Sequence, residues 1–154
     1  KSMHPMSKIR KEITKYMSDE SEWNKKLIAE FRVNGGKVGG HFEGKTLLLL
    51  HTLGAKSGQG RVTPTAYVRD GERFVIIASN SGAESHPAWY HNLISKSVAT
   101  IEVGADQFNV YPSIVQEPER THLYDKMVEM MPIFEKYRRE TTRKIPVILL
   151  TPVK

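Results

Sequence analysis

The sequence contains no cysteine, which excludes disulfide bonds, thiolate metal ligands and cysteine nucleophiles. It also lacks long hydrophobic runs: stretches such as residues 47–50 are far too short to cross a membrane as a helix. No apolar core of a signal peptide is visible near the start, where we expect Lys1, Ser2 and Met3 to be the remnant of a cloning tag. A cytoplasmic location is the simplest expectation.

The bulk composition predicts one ordinary globular domain, because the 154 residues are 39% hydrophobic and 26% charged. The net charge is +6, and much of the excess lies in residues 34–69, which carry five basic side chains and one acidic one. Such a stretch favours an anionic partner. Nucleic acid, a membrane surface, a phosphorylated cofactor and a merely solubilising surface all stay open on charge alone.

Helical periodicity is confined to the first 33 residues and a few later segments. Ser7 is suited to cap a first helix, whose basic face and apolar stripe also fit peripheral contact with a membrane. A second helix ends at Asn34-Gly35-Gly36. Its apolar stripe is Trp23, Leu27, Ile28 and Phe31.

The rest of the chain is predicted to be mainly β-strand. Apolar or alternating runs cover residues 46–52, 62–69, 74–79, 98–103, 107–115 and 147–150. Asp70-Gly71 and Gly104-Ala105-Asp106 are typical of hairpin turns. Short helices are expected over residues 87–94 and 117–131, where Pro132 breaks the second one. This pattern predicts an α+β, mainly β fold: a small antiparallel barrel flanked by helices.

Two glycine-containing stretches are candidate ligand sites. Residues 39–46 match the P-loop pattern, but a strand is expected after them rather than a helix, so we reject nucleotide hydrolysis. Residues 54–61 join two predicted strands and combine three glycines with Lys56 and Arg61, so they can offer N–H groups and cations to an anion. An exposed hairpin with incidental charges is the alternative. His86 and His91 lack a carboxylate at metal-site spacing, so no metal is expected.

Several of these motifs occur in one order: residues 48–52, 54–58 with Arg61, 67–71, 78–79 and 87–93. The series resembles the deazaflavin-dependent nitroreductase family, whose members use the 8-hydroxy-5-deazaflavin coenzyme F420. The resemblance runs over residues 35–152. It implies a split β-barrel related to FMN-binding barrels, with a cofactor-binding domain over residues 34–154 and an N-terminal helical segment over residues 1–33. It also implies an anionic phosphodiester and oligoglutamate tail, which accounts for the basic stretch.

The resemblance further implies site residues. The first loop and strand would contribute Ala55, Lys56, Ser57, Arg61, Val62, Thr63, Pro64, Thr65 and Ala66 to the cofactor site. Later segments would contribute Ile77, Ala78, Ser79, Ala88, Trp89, Tyr90, His91, Asn92 and Phe134. The substrate pocket would hold Tyr67, Met131, Phe134 and Tyr137. Tyr137 and Ser79 are the candidate catalytic residues, as proton donors in competition with solvent.

The expected function is hydride transfer from reduced F420 to an electron-poor quinone, enone or nitroaromatic. Met131 and Phe134 stand where family nitroreductases have tyrosines, which makes bulky nitroimidazoles poor candidates. One alternative is an FMN-dependent reductase on the same barrel. The other is a basic binding module, but the cations cluster at loops rather than between aromatics, so no nucleic-acid partner is expected. The sequence leaves the oligomeric state open.

Overall fold

The computed structural model describes residues 22–54 and 56–154. The helix predicted after Ser7 lies outside these residues. The described residues contain four helices, α1 (Glu22–Val33), α2 (Ala88–Ile94), α3 (Glu119–Met130) and α4 (Ile133–Arg139). The same ranges contain seven strands, β1 (Leu47–Leu53), β2 (Gly60–Ala66), β3 (Val68–Asp70), β4 (Arg73–Ile77), β5 (Ala99–Val103), β6 (Asp106–Ile114) and β7 (Val147–Pro152). Short 3-10 turns cover Gly40–Phe42 and Asn80–Gly82.

The strands form one curled sheet in the order β2-β1-β5-β6-β7-β4-β3, and every pairing between them is antiparallel. The two edge strands, β2 and β3, are consecutive in the chain and are separated by Tyr67 alone. Because one residue spans only about 3.6 Å, the two edges must meet at that point and the sheet must curl. The predicted split β-barrel is confirmed.

Tyr67 marks the main difference from the predicted strands. The sequence predicts one strand over residues 62–69, whereas the chain leaves β2 at Ala66 and begins β3 at Val68 on the opposite edge. The Tyr67 amide donates to the Thr46 carbonyl at 3.2 Å, and its ring packs against Phe74 at 5.3 Å between centroids. No local feature of residues 62–69 marks this transfer between edges.

Alternate residues of β1 belong to two separate apolar cores. Leu48 and Leu50 pack in a cluster with side chains of four other strands and with Leu93 of α2. Leu47 and Leu49 pack in a second cluster under α1, α3 and α4. Since both faces of β1 are buried, its run of four leucines follows directly from the fold.

Polar contacts hold α1 on the sheet. Arg32 makes two hydrogen bonds with the Glu102 carboxylate of β5, at 3.1 and 2.8 Å, and His51 Nε2 lies 2.6 Å from the same carboxylate. The Arg32 hydrogen bond, assisted by His51, lowers the pKa of Glu102 against the opposing effect of burial. The position of α1 matters because it forms one wall of the cavity described below.

At the other end, Pro132 separates α3 from α4, and the Tyr124 hydroxyl of α3 donates to the Phe134 carbonyl at 2.7 Å. None of the helices in the described ranges combines the length and hydropathy that a membrane crossing requires. Membrane contact by the segment after Ser7 stays a prediction.

Candidate functional site

A cavity of about 610 Å³ lies between strand β2, the loop that follows β4, the start of α2, and the helices α1 and α4. Its volume is that of small-molecule and cofactor sites. Most of the lining side chains are apolar or aromatic. Among the described lining residues, Arg61 alone carries a permanent charge, and no carboxylate is present. The cavity therefore suits a largely planar, apolar ligand with an anionic part.

Strand β2 forms one wall of the cavity. The residues of this strand that line it are Arg61, Thr63, Pro64, Thr65 and Ala66. Pro64, which pairs with Leu49 of β1, is tolerated because β2 is an edge strand and needs ladder hydrogen bonds on one side only. Val62 does not line the cavity and packs against the core beneath the helices.

The loop before β2 is a tight hairpin. Gly54 N donates to Gln59 O and Gly58 N donates to Gly54 O, both at 2.8 Å, and a Cβ on Gly54 would fall 2.5 Å from Ser57 Oγ. Lys56 and Ser57 are exposed and do not line the cavity. Ala55 lies outside the described residues. Of the predicted cationic pair, the structure brings Arg61 to the cavity and leaves Lys56 on the surface.

The turn after β4 forms a second wall. Asn80 and Ser81 have φ angles of 49° and 54°, a left-handed conformation that is uncommon for residues other than glycine. Ser79, Asn80 and Ser81 all line the cavity, as does Ile77, whereas Ala78 is buried in the barrel core. Two consecutive residues in this conformation mark the turn as a functional candidate.

The start of α2 contributes Pro87, Ala88 and Trp89. Tyr90 and Asn92 are buried away from the cavity, and His91 is exposed. Because successive residues of a helix point about 100° apart, the predicted stretch 88–92 cannot face one ligand as a block. The sequence indicated the segment but not its orientation.

Helix α4 and the residue before its proline form the opposite wall. Met131, Phe134 and Tyr137 follow at three-residue intervals and line the cavity, together with Ile133. The Phe134 and Tyr137 rings meet edge to face at 5.4 Å. Burial raises the pKa of the Tyr137 phenol, while a hydrogen bond with the Ser81 side chain acts in the opposite direction. Tyr137 is therefore a neutral hydroxyl at pH 7. Tyr67, predicted near the acceptor, does not line the cavity.

One edge of the cavity is aromatic and was not predicted from the sequence. Trp23 of α1 and His41 and Phe42 of the turn Gly40–Phe42 line it, with the Trp23 and Phe42 rings 6.3 Å apart. The Gly39 amide donates to Glu30 Oε2 at 2.8 Å, which fixes this turn against α1. Trp23 belongs to the predicted apolar stripe, but no local feature of the sequence distinguishes a side chain that lines a cavity from one that packs in the core. Asn80, Ser81, His86, Pro87 and Ile133 also line the cavity and were not among the predicted site residues.

The glycine stretch over residues 39–46 has no phosphate-binding geometry. Leu47 begins a strand, and Lys45 Nζ donates to the Met130 carbonyl at 2.9 Å. The rejection of a P-loop agrees with the structure.

Comparison with known proteins adds independent findings. Residues 23–152 match the family model for F420H(2)-dependent quinone reductase. The F420H(2)-dependent quinone reductase Rv1261c of Mycobacterium tuberculosis is 38% identical over 127 residues, which cover 80% of this chain and 85% of the relative. The solved structure of the F420-H2 dependent reductase FDR-A has 29% identity and a TM-score of 0.63, covering 73% of this chain and 99% of its own. Another, described as a domain-swapped dimer, has 25% identity and a TM-score of 0.64, covering 96% and 99%.

Proposed function

Since the chain belongs to the F420H(2)-dependent quinone reductase family, we propose that its cavity binds reduced F420 and a quinone together for hydride transfer. Membership of the family confirms the predicted family and its coenzyme F420, and FMN becomes the secondary alternative. One observation carries the proposal: Arg61, Ser79, Trp89 and Tyr137, which the sequence offered from four separate segments, all line one cavity.

The residues present fit the coenzyme. The apolar and aromatic walls suit a fused planar ring, and the edge of β2 offers backbone groups that the sheet does not use on that side. Arg61 supplies a planar cation for the phosphodiester. Lys56, exposed beside the same hairpin, is positioned for the part of an oligoglutamate tail that extends into solvent. Its contribution would be a screened surface contact.

The protein's contribution to the reaction is orientation and exclusion of water. When bound, the reduced deazaflavin supplies the hydride. Thr63, Pro64 and Ile77 would hold one face of the ligand, and Phe134 and Met131 would cover the acceptor from the side of α4. Both of these side chains are buried, at 7% and 5% exposure, so they displace water from the reacting atoms.

A quinone that accepts hydride on carbon or oxygen gains negative charge and needs a proton. Tyr137 lines the cavity as a neutral phenol, with Ser81 as its hydrogen-bond partner. Ser79 is buried at 8% exposure and offers a second hydroxyl. We assign Tyr137 as the principal donor, because a phenol is far more acidic than an alcohol and matches a hydroquinone anion more closely.

The acceptor is expected to be a quinone rather than a bulky nitroimidazole. Met131 and Phe134 give the α4 wall apolar surface where a hydroxyl would otherwise bind a nitro oxygen. Burial of a flat, largely apolar quinone against this wall costs little desolvation free energy. A polar nitro group buried there would leave its oxygen atoms without hydrogen-bond donors.

Titration with oxidised and reduced F420, followed by turnover on matched quinones, enones and nitroimidazoles, tests the proposal. We expect binding at micromolar concentration and faster turnover of quinones than of nitroimidazoles. Tighter binding of FMN than of F420, or no binding of either form of F420, would contradict it.

A further inference from the structure

Arg143 lies between α4 and β7 and reaches the loop that carries Ser79 and His86. Its five N–H groups all have partners in that loop. Nε donates to the Ala83 carbonyl at 2.7 Å, and both Nη atoms donate to the Ala78 carbonyl at 3.2 Å. Nη2 also donates to the Ser79 carbonyl at 2.6 Å, and Nη1 lies 2.8 Å from His86 Nδ1. A single side chain thus connects both ends of the loop.

A second contact attaches the same two segments. Thr142 donates from its backbone N and its hydroxyl to the Glu84 carboxylate, at 3.2 and 3.0 Å. Asn80 Nδ2 donates to the Ser85 carbonyl at 3.0 Å within the loop. Residues 78–86 are therefore held in one arrangement by the segment 142–143.

The contact with Arg143 determines which ring nitrogen of His86 carries hydrogen. A guanidinium has donors only, so His86 Nδ1 must accept, and the hydrogen of the neutral ring must be on Nε2. Burial lowers the pKa of His86, and the nearby positive charges of Arg143 and His91 lower it further. The ring is packed against Tyr90 at 4.7 Å and His91 at 5.8 Å between centroids. His86 is therefore neutral at pH 7, with a fixed Nε2–H.

His86 lines the cavity, and within residues 22–54 and 56–154 its Nε2–H has no hydrogen-bond acceptor. We propose that His86 is a ligand-contacting residue, which donates Nε2–H to an oxygen or nitrogen of the molecule bound in the cavity. Arg143 is its positioning residue. The proposal rests on the proposed function only for the identity of that molecule, F420 or its acceptor.

This donor differs in kind from the Arg61 guanidinium and from the hydroxyls that line the cavity, and it resembles the indole N–H groups of Trp23 and Trp89, which also donate without carrying charge. Arg61 contributes a charge, and the hydroxyls of Ser and Thr rotate freely between donating and accepting. A neutral imidazole held by Arg143 is a donor in one direction only and adds no charge. Such a group recognises a carbonyl or ring nitrogen of a neutral ring system without protonating it.

The first test is the tautomer in the protein without ligand. Two-bond proton–nitrogen correlation spectra of the histidine rings distinguish the two neutral forms. We expect Nε2–H for His86 at pH 7, and loss of this preference in Arg143→Lys, because lysine cannot occupy the same four acceptors. Arg138→Lys, on the outer side of α4, is the matched control and leaves the spectrum unchanged. An Nδ1–H form in the wild-type protein would overturn the proposal.

The second test is affinity for oxidised F420. The amide of asparagine can accept from Arg143 but does not reach the Nε2 position, whereas glutamine places an N–H near it. We therefore expect His86→Asn to weaken binding by roughly three- to tenfold, the range of one neutral hydrogen bond, and His86→Gln to restore most of the affinity. His91→Asn, at the exposed neighbour, is the control.

The outcomes separate this inference from the proposed function. If wild-type protein binds F420 and His86→Asn binds it as tightly as His91→Asn does, the inference is wrong and the function stands. If wild-type protein does not bind F420, the ligand contact fails together with the proposed function. The ring spectra of the free protein then still decide whether Arg143 fixes the tautomer.

Discussion

Gly82 lies directly against the backbone of Tyr137. A Cβ on Gly82 would fall 3.1 Å from the Tyr137 carbonyl oxygen and 3.2 Å from its Cα, and Gly82 has a φ of +80°. Ser81, the hydrogen-bond partner of the Tyr137 phenol, is the preceding residue. The turn after β4 and helix α4 are thus fitted to each other at a glycine, and this contact sets the position of the proposed proton donor.

Replacing this glycine tests the contact. Gly82→Ala should lower the free energy of unfolding by about 1–2 kcal/mol from the left-handed backbone alone, and should lower kcat by moving Tyr137. Gly71→Ala is the matched control, because Gly71 has a φ of +62° and a Cβ added there would meet nothing within 4 Å. Urea unfolding and steady-state kinetics measure both. Equal effects of the two variants on kcat would show that the contact does not position Tyr137.

Arg61 is expected to be the main charged contact of the coenzyme. Arg61→Ala should weaken F420 binding by about 1.5–3 kcal/mol, the range for hydrogen bonds to charged groups. Lys56→Ala should weaken F420 binding by less than about 1 kcal/mol, because Lys56 is exposed. The effect should be smaller still at high salt, which screens exposed charges.

Isothermal titration at two salt concentrations measures both affinities, with Lys96→Ala as an exposed control away from the cavity. Unchanged affinity in Arg61→Ala would remove Arg61 from the site.

Tyr137 is expected to govern the proton step. Tyr137→Phe should lower kcat by roughly 10²-fold, the lower end for a lost general acid, and Ser79→Ala should lower it less. Tyr124→Phe is the control: its hydroxyl donates to the Phe134 carbonyl, so its loss should cost about 1 kcal/mol of unfolding free energy with little effect on kcat. Because the slowed proton step then limits turnover, the solvent isotope effect on kcat should rise in Tyr137→Phe only. Full activity of that variant would assign protonation to solvent or Ser79.

The pH dependence of kcat follows from the same residue. Burial raises the pKa of Tyr137 above 10, so the acid form that donates a proton persists below that value. We expect kcat to be level from pH 7 to pH 9 and to fall only at higher pH. A decline of wild-type kcat between pH 7 and 9 that is absent in Tyr137→Phe would contradict this assignment.

Glu102 is expected to make the protein sensitive to acid. Its pKa is lowered in the folded state, chiefly by the Arg32 hydrogen bond, so its stabilisation is complete above the ordinary glutamate pKa and is lost as pH falls through the folded value. Glu102→Gln should lower the free energy of unfolding by about 1.5–3 kcal/mol at pH 7, and by progressively less as pH falls below the ordinary glutamate pKa. Glu72→Gln, an exposed partner of Lys154, is the control. Unfolding curves at several pH values measure this, and equal losses at pH 4 and pH 7 would argue against the pair.

The sequence predicted what is encoded locally. The four leucines of β1, the Asp70-Gly71 turn and the break at Pro132 each have a nearby cause in residue type, and each is found in the fold. The path of the chain at Tyr67 could not be predicted in this way. There the chain passes from one sheet edge to the other, and the position of the second edge depends on strands that come later in the sequence. The same holds for the site. Arg61 was recognisable from a motif and Tyr137 from the family resemblance, whereas Trp23, Phe42 and Arg143 act through contacts with residues far away in the chain.

Direct hydride transfer from F420 to a quinone within this cavity is the central step of the proposed function. Single-turnover oxidation of reduced F420 carrying deuterium at C5, with protein and quinone in excess, tests it most directly. We predict one quinone reduced for each coenzyme oxidised, and a rate slowed by the deuterium. No oxidation of reduced F420 by any quinone, under conditions where the protein binds it, would contradict the proposed function.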